Sequence, residues 1–325
     1  MRRKNRMLFT YIIININDHF HKQTYMSFTL HQLDVFASVA KNKSITKAAN
    51  ELFMSQPAVS IQVKKLQEHF DIDLIEVIGK QLYLTDAGVE LYNSQKKIKN
   101  ELKVLEMALD ELKGVMKGRL SIVVVSTAKY FMPYILGEFR NESPQVQISL
   151  KVTDRIEVTS QLKDNECDLA VFSQLPDGVP VEYIEFLSNP LVVAASPKLD
   201  IAKKKKISWK ELEKYDFLIR ETGSGTRLVM ESLLRKEKIN PKIVMELSTN
   251  EAVKQAIMAG IGISLVSRYS LTNEEIMGKI SVLNVEGLPY VNSWKLVYPK
   301  GKKLSPVARS FIEFSKRKDI RAIIG

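Results

Sequence analysis

Between Leu30 and Phe70 apolar residues recur at three- and four-residue spacings in three short runs, a pattern that predicts three helices. The first, Leu30 to Lys41, directs Leu30, Leu33, Val35, Phe36 and Val39 toward a small core. The second starts at Ser44 or Thr46, and its adjacent Ala48 and Ala49 let another helix cross it closely. The third starts at Ser55, a residue type that caps helix N-termini, followed by Pro57 where a missing N–H is tolerated. Val59, Val63, Leu66 and Phe70 share its inner face, while Gln56, Ser60 and Lys64 lie opposite. The last two helices, joined by a tight turn, read as a helix-turn-helix. Short hydrogen-bonding side chains near the outward N-terminus of its second helix suit base edges in a DNA major groove.

Beyond the third helix, Leu74 to Ile78 and Leu82 to Leu84 are strand-like runs around Gly79 and Lys80, predicting a hairpin wing. From Asp86 to about Lys117 the chain lacks proline. Leu91, Gln95, Ile98, Leu102, Leu105, Leu109, Leu112 and Met116 alternate at spacings of four and three, a heptad seam that predicts pairing with a second copy. A surface helix within one domain is the alternative. Gly114 and Gly118 should end it. Short apolar strands then alternate with helices: Leu120–Val125, Val146–Val152, Asp168–Phe172, Leu191–Ala195, Phe217–Ile219, Ile243–Leu247 and Ile263–Val266, with a return near Trp294–Tyr298. This texture predicts an α/β region with a mainly parallel sheet covered on both faces.

With 325 residues, 45% hydrophobic and 26% charged, the chain has room for two or three globular domains. The net charge of +11 suits a polyanionic partner, but residues 27–100 hold nine Lys or Arg against eight Asp or Glu. Lys64, Lys65 and Lys80 therefore matter more than the total. The single cysteine, Cys167, excludes an intramolecular disulfide, suits a reducing compartment and reads as a small core residue. All four histidines precede residue 70, which leaves the C-terminal region without a Ser-His-Asp triad or a histidine metal site. Residues 1–26 begin basic and carry a short apolar run, Met7 to Ile14, that imitates an export signal. The run is interrupted by Thr10, lacks a small-residue cleavage site and is too short to span a bilayer. This stretch reads as a loosely attached extension or an over-long start.

Two strand-to-helix junctions offer backbone N–H groups to an anion. One is Ser126 and Thr127 after Val125. The other is Thr222-Gly223-Ser224-Gly225-Thr226-Arg227, which combines glycines, hydroxyls and a guanidinium. The second lacks the Gly-Lys-Ser/Thr ending of a phosphate-binding P-loop, and taken alone it reads more readily as a plain helix start. Further candidates are Arg155, which is alternatively a surface charge beside Asp154, Ser173 after a strand, and Asn250 as a helix cap.

The run MSQPAVSIQVKKLQEHF, preceded by LHQLDVFASVAKNKSITKAANEL and followed by LYLTDAG, resembles the winged helix-turn-helix of LysR-type transcriptional regulators. VVSTAKYFMPYILGEF, RETGSGTR, STNEAVKQAIMAGIGISLVS and LSPVARSFIEF resemble the subgroup that controls Calvin-cycle, Rubisco-type operons. About nine-tenths of the chain is covered. The resemblance implies an α/β protein overall: an extension (1–26), a winged helix-turn-helix (27–85), a coiled-coil linker helix (86–117) and a two-lobed, periplasmic-binding-protein-like effector domain (118–325). Lobe one would comprise 118–189 and 288–325, and lobe two 190–287. Ser55, Gln56, Pro57, Ala58, Ser60, Lys64 and Lys80 would meet DNA. Ser126, Thr127, Arg155, Ser173, Gly223, Ser224, Thr226, Arg227 and Asn250 would hold a small anionic effector. Two departures stand out. Val77 occupies a position that usually holds an Arg before the wing turn, and Gln174 replaces a common Arg, which argues against a phosphorylated Calvin-cycle ligand.

The expected partners are a partly palindromic double-stranded operator, the effector, and one or three further copies of the chain, with RNA polymerase as a further contact. No cofactor, metal or membrane is expected, and the expected location is the cytoplasm. A transporter's solute-binding component is the competing reading, since it shares the two-lobed fold, but the helix-turn-helix argues against it. An enzyme is disfavoured because the cleft lacks histidine and clustered carboxylates.

Overall fold

The computed structural model describes residues 28–324; the extension expected over residues 1–26 lies outside them. The chain divides after Asn100 into two units, which are described separately.

In the first unit, α1 (Leu30–Asn42) opens on a capping box in which Thr29 and Gln32 bond each other's backbone N–H, worth about 1 kcal/mol. The helix-turn-helix is α2 (Ile45–Glu51), capped by Ser44, and α3 (Gln56–Phe70), capped by Ser55, with Pro57 in its first turn. Between them Phe53 takes a left-handed conformation (φ 54°), and the Met54 N–H bonds the Ala49 carbonyl at 2.9 Å. Glu51 ties α2 to α1 by accepting from Ser38 (3.0 Å), Lys41 (2.8 Å) and Asn42. These bonds hold its carboxyl down to about 2, Lys41 contributing most. Ala48 and Ala49 are buried against Leu33, Phe36, Val59, Val63 and Leu66.

Two expected core residues are not in this core. Leu30 is 51% exposed because it sits at the mouth of α1, and Phe70, 39% exposed, ends α3 in a ring cluster with Phe28 and His69. The wing is β1 (Ile75–Ile78) and β2 (Gln81–Leu84), paired antiparallel. Gly79 and Lys80 both have positive φ (56° and 72°), the two-residue turn that matches strand twist.

Helix α4 (Asp86–Leu112) starts where the Thr85 hydroxyl accepts the Gly88 N–H. It stops short of the expected Lys117. Gly114, at φ 75°, closes it, with the Val115 N–H on the Asp110 carbonyl and the Gly114 N–H on that of Glu111. Met116 thus falls outside the helix, and Gly118 opens a strand rather than ending the helix. The seam divides. Leu91 is half-buried, and Gln95 is buried and donates to Asp34 at 2.7 Å. Ile98, Leu102, Leu105, Leu109 and Leu112 are exposed.

The second unit has two lobes. In lobe one, β3 (Gly118–Val125) lies parallel between β4 (Val146–Thr153) and β5 (Leu169–Phe172). Next to β5 comes β11 (Tyr290–Pro299), antiparallel, and then β6 (Val181–Ala195). The strand expected at Leu191–Ala195 is thus the far third of a 15-residue strand. The sheet is mixed rather than mainly parallel, because the two strands running between the lobes are antiparallel to each other. In lobe two β6 pairs with β9 (Ser264–Ser267) and β10 (Ser281–Val282), while β7 (Phe217–Arg220) pairs in parallel with β8 (Ile243–Leu247).

The inner strands β5, β7 and β9 are buried on both faces, which explains their unbroken apolar runs, whereas β4 and β8 are partly exposed. Leu120, Ile122 and Val124 face one core with α5 (Met132–Glu142), while Val123 faces another with α6 (Arg155–Lys163). Leu191 and Val193 face α8 (Gly225–Lys236), and Val192 and Ala194 face α9 (Asn250–Met258). The short α7 (Trp209–Leu212), α10 (Thr272–Ile276), α11 (Pro306–Arg317) and α12 (Ile320–Ile324) complete the unit.

Candidate functional sites

The outward face of α3 presents Gln56, Pro57, Ser60 and Lys64 to solvent, with Ser55 exposed just ahead and Ala58 half-buried. Lys64 makes a loose exposed pair with Glu68 (3.7 Å), worth less than 1 kcal/mol, so its ammonium is readily given to a phosphate. Lys80 is exposed at the wing tip. The structure adds Phe53, 98% exposed at the turn, and Ile61, exposed on α3. Both are apolar, and in the sequence neither carries a hydrogen-bonding signal. Val77 is exposed on β1.

The second site lies between the lobes. Ser126 and Thr127 form the start of a 3-10 turn at the end of β3, in lobe one. From lobe two, Arg220 ends β7, and Asn250 is the first residue of α9. The cap of α9 is Thr249 rather than Asn250, since its hydroxyl accepts the Ala252 N–H at 3.1 Å. Asn250, freed from capping and buried, accepts from Arg220 Nη1 and donates to the Thr127 hydroxyl at 2.8 Å. Arg220 Nη2 reaches the Ser126 hydroxyl at 3.2 Å, so both bonds cross from one lobe to the other. The Glu221 carboxylate forks onto Arg220 Nε (2.7 Å) and Nη2 (2.8 Å).

A cavity of about 20 Å³, space for a single water-sized group, is bounded by Thr127, Ser173, Arg220, Thr226 and Trp294 among others. Trp294 is buried and its indole N–H has no hydrogen-bond partner. Beside it a chamber of about 520 Å³ is lined by Lys129, Thr153, Arg155, Glu221, Gly223 and Ser248, among others. Ser224 begins α8 without a side-chain cap, leaving first-turn N–H groups available. Gly223 needs its φ of 89°, and a Cβ on Gly225 would stand 3.2 Å from the Ser173 hydroxyl.

Two expected residues behave differently. Arg155 is held by the Gln174 and Leu175 carbonyls, both at 2.6 Å, and burial lowers its pKa. It is neither a plain surface charge nor an unpartnered cation. Arg227 turns away from both cavities: Glu231 (2.7 Å) and Glu246 (2.6 Å) neutralise it, and it also donates to the Arg220 carbonyl. The buried cation at the cleft is Arg220, which the sequence reading passed over. Its signal was position, at the carboxyl end of an apolar strand, where ligands of α/β folds gather. Cys167 lies elsewhere, with its thiol pushed up to about 12 by burial and therefore unreactive. Among the described residues no cluster of three His, Cys, Asp or Glu is placed to hold a metal, and no helix is long and apolar enough to cross a membrane.

Residues 30–89 match the bacterial regulatory helix-turn-helix domain of the lysR family, and residues 113–319 match the LysR substrate binding domain. The chain is 42% identical over 286 residues to the HTH-type transcriptional activator CmpR of Synechocystis sp., covering 88% of this chain and 94% of that protein. It is 40% identical to a RuBisCO operon transcriptional regulator of Allochromatium vinosum, covering 89% and 96%. The regulatory domain of Synechocystis CcmR, solved in complex with 2-PG, is 37% identical with a TM-score of 0.59, covering 61% of this chain and 96% of that one. Full-length CbnR with its target DNA shares the fold, with a TM-score of 0.66 at 20% identity, covering 89% and 99%. A helix-turn-helix followed by a two-lobed domain, with both family matches in that order, makes this chain a member of the LysR family of bacterial transcriptional regulators.

Proposed function

We propose that this regulator reads a partly palindromic operator through paired copies of α3 and is controlled by a small anion bound between the lobes. The observation that carries the control is Arg220, a nearly fully buried guanidinium bonded to both lobes at once. A ligand that rearranges its partners acts on the interlobe bonds directly, and differential affinity for two arrangements is all that control requires. Ser126, Thr127, Ser173, Ser224, Thr226 and Asn250 supply neutral donors around it, and Arg155 lends charge. The CcmR domain binds 2-PG, a small anionic metabolite, which supports this ligand class. Although Gln174 lacks a charge, the Arg155 guanidinium sits on its carbonyl and restores one there.

On the DNA side, Gln56 and Ser60 read base edges, Ser55, Pro57 and Ala58 bring the helix start close to the backbone, and Lys64 and Lys80 meet phosphates. The exposed row from Ile98 to Leu112 pairs with its copy in a second chain, giving a dimer or a dimer of dimers. The domain limits are kept as in the sequence reading, β6 crossing the boundary at 189/190, except that the return to lobe one is set within β11, whose Tyr290 and Val291 pair with Leu191 and Pro190. The relatives are transcription regulators, and the cleft is read as a sensor without catalysis, acting in the cytoplasm. The test is calorimetric titration of the full chain with 2-phosphoglycolate, paired with footprinting on its own promoter with and without ligand. Binding that is lost in Arg220→Gln and a footprint that changes with ligand are the expected results. Ligand-indifferent footprints across a panel of small anions would overturn the reading.

A further inference from the structure

We propose that Glu221 is the resident occupant of the anion seat on Arg220: an effector enters by exchanging with this carboxylate, and Glu221 thereby sets the affinity and charge selectivity of the cleft. The inference rests on the reading of the cleft as an anion site.

The geometry is that of a ligand already in place. Two parallel N–H···O bonds, Arg220 Nε to one Glu221 oxygen at 2.7 Å and Nη2 to the other at 2.8 Å, are the arrangement in which a guanidinium grips a free carboxylate or phosphate. The remaining nitrogen, Nη1, bonds Asn250, and Nη2 also contacts Ser126. Nη2 also lies 3.5 Å from the Ser248 carbonyl. Glu221 thus fills the Nε/Nη2 edge, the one edge that offers a two-point grip away from Asn250, and an anion that is to hold that edge cannot simply add. It must take the place of one partner, and Glu221 is the only one of these that carries charge.

The two partners differ in freedom. The Arg220 side chain is 4% exposed, whereas that of Glu221 is 25% exposed and borders both the small cavity and the large chamber. The Glu221 backbone is fixed at both ends: its N–H donates to the Leu247 carbonyl and its carbonyl accepts from the Ser224 N–H, each at 3.1 Å. The carboxylate therefore leaves by rotating about its own side-chain bonds while the loop and Arg220 stay in place. Lys129 lines the chamber that would receive it.

Selectivity follows from the exchange. A carboxylate or phosphate replaces one anionic partner of Arg220 with another, whereas a neutral polyol would leave the buried guanidinium without a counter-charge. Affinity follows too. While Glu221 occupies the seat, only the fraction of molecules with Arg220 vacated binds, and the apparent dissociation constant is raised by that factor.

The test is calorimetry on the full chain with 2-phosphoglycolate, inorganic phosphate and glycerol as probes. Glu221→Gln keeps the size and one acceptor oxygen but loses the charge and the second acceptor, and Glu221→Asp withdraws the carboxylate by one methylene. Both variants should bind the two anions about tenfold more tightly than the unmodified chain, with glycerol remaining unbound. Anions should also raise the melting temperature of the Gln variant more than that of the parent. Equal or weaker anion binding in both variants would overturn the exchange and make Glu221 a fixed buttress of Arg220. If neither parent nor variants bind either anion, the anion-site reading falls, and the exchange with it. Should the Gln variant fail to fold, the Asp variant decides by the same comparison.

Discussion

Asn250 donates its carboxamide N–H to the Thr127 hydroxyl across the cleft at 2.8 Å, and it is oriented to do so because Arg220 holds the carboxamide oxygen on the other side. One amide thus couples a buried cation in lobe two to the first turn after β3 in lobe one. Thr127→Val removes the acceptor and leaves a buried amide donor unpaired, at a cost of about 1–3 kcal/mol. The expected result is a lower melting temperature and loss of the ligand-dependent footprint change. A variant with the parent's response would show that this bond plays no part in control.

Arg220 and Arg227 separate cleanly. Arg220→Gln should weaken anion binding by at least about 100-fold, in line with a lost charge-assisted pair of about 3 kcal/mol. Arg227→Gln should leave anion binding within about twofold and act only on the packing of α8 against β8, because its charge is already spent on Glu231 and Glu246. Titration of both variants with 2-phosphoglycolate checks this, and the reverse ranking would return Arg227 to the site.

For the DNA face, Gln56→Ala or Ser60→Ala should weaken binding to the operator more than to unrelated DNA. Lys64→Ala should weaken both and reduce the salt slope by about one. Lys80→Asn keeps a residue tolerant of positive φ at the wing tip, so its effect should be confined to the charge. Equal loss on all DNA from the Gln56 change would remove it as a base reader. Gel shifts at several salt concentrations decide.

Leu105→Glu places a charge in the middle of the exposed apolar row on α4. If that row pairs with a second copy, the variant should sediment as a smaller species than the parent and bind a two-fold site no better than a half-site. An unchanged sedimentation coefficient would assign the row another role.

Glu51 gives the helix-turn-helix unit an acid sensitivity whose sign is fixed. Its folded pKa, about 2, lies below the ordinary 4.5, with the bond from Lys41 as the largest cause and those from Asn42 and Ser38 next. Its contribution is complete above about pH 4.5 and is lost as pH falls toward 2. Chemical denaturation across this window should show the loss, and Glu51→Gln should flatten that part of the profile.

Gly88 is a steric necessity. A Cβ there would stand 2.0 Å from the Leu74 carbonyl oxygen, a backbone atom that cannot rotate away. Gly88→Ala should therefore destabilise the first unit by about 2–3 kcal/mol, a larger effect than Gly→Ala changes in open helices, where the sign is reversed. Thermal melts of this variant and the parent would show it.

Much of this architecture was legible because it is written in periodicity and end signals. Ser44 and Ser55 cap the helices they were expected to cap, and Ile243–Leu247 has the limits read from its apolar run. What was not legible came from tertiary context. The end of α4 moved because Gly114 could close the helix by itself, without Gly118. A separate strand at Leu191 merged into β6, which runs through Asn189 and Pro190 without a break. In the cleft, serines and threonines at strand ends were visible, but charge was not. Arg220 and Arg227 are both arginines near a glycine loop, and only the positions of Glu231 and Glu246 show which of them is neutralised away from the cavity.

The ten paired positions between β6 and β11, from Leu191 opposite Tyr290 to Val181 opposite Pro299, have a mechanical meaning. The chain passes between the lobes along these two strands, and they are bonded to each other along the crossing. Such a ribbon resists bending at one point and yields by twisting along its length. Work done on the interlobe bonds at Ser126 and Thr127 would then appear as torsion, a small rotation of one lobe against the other that returns elastically once the bonds reform.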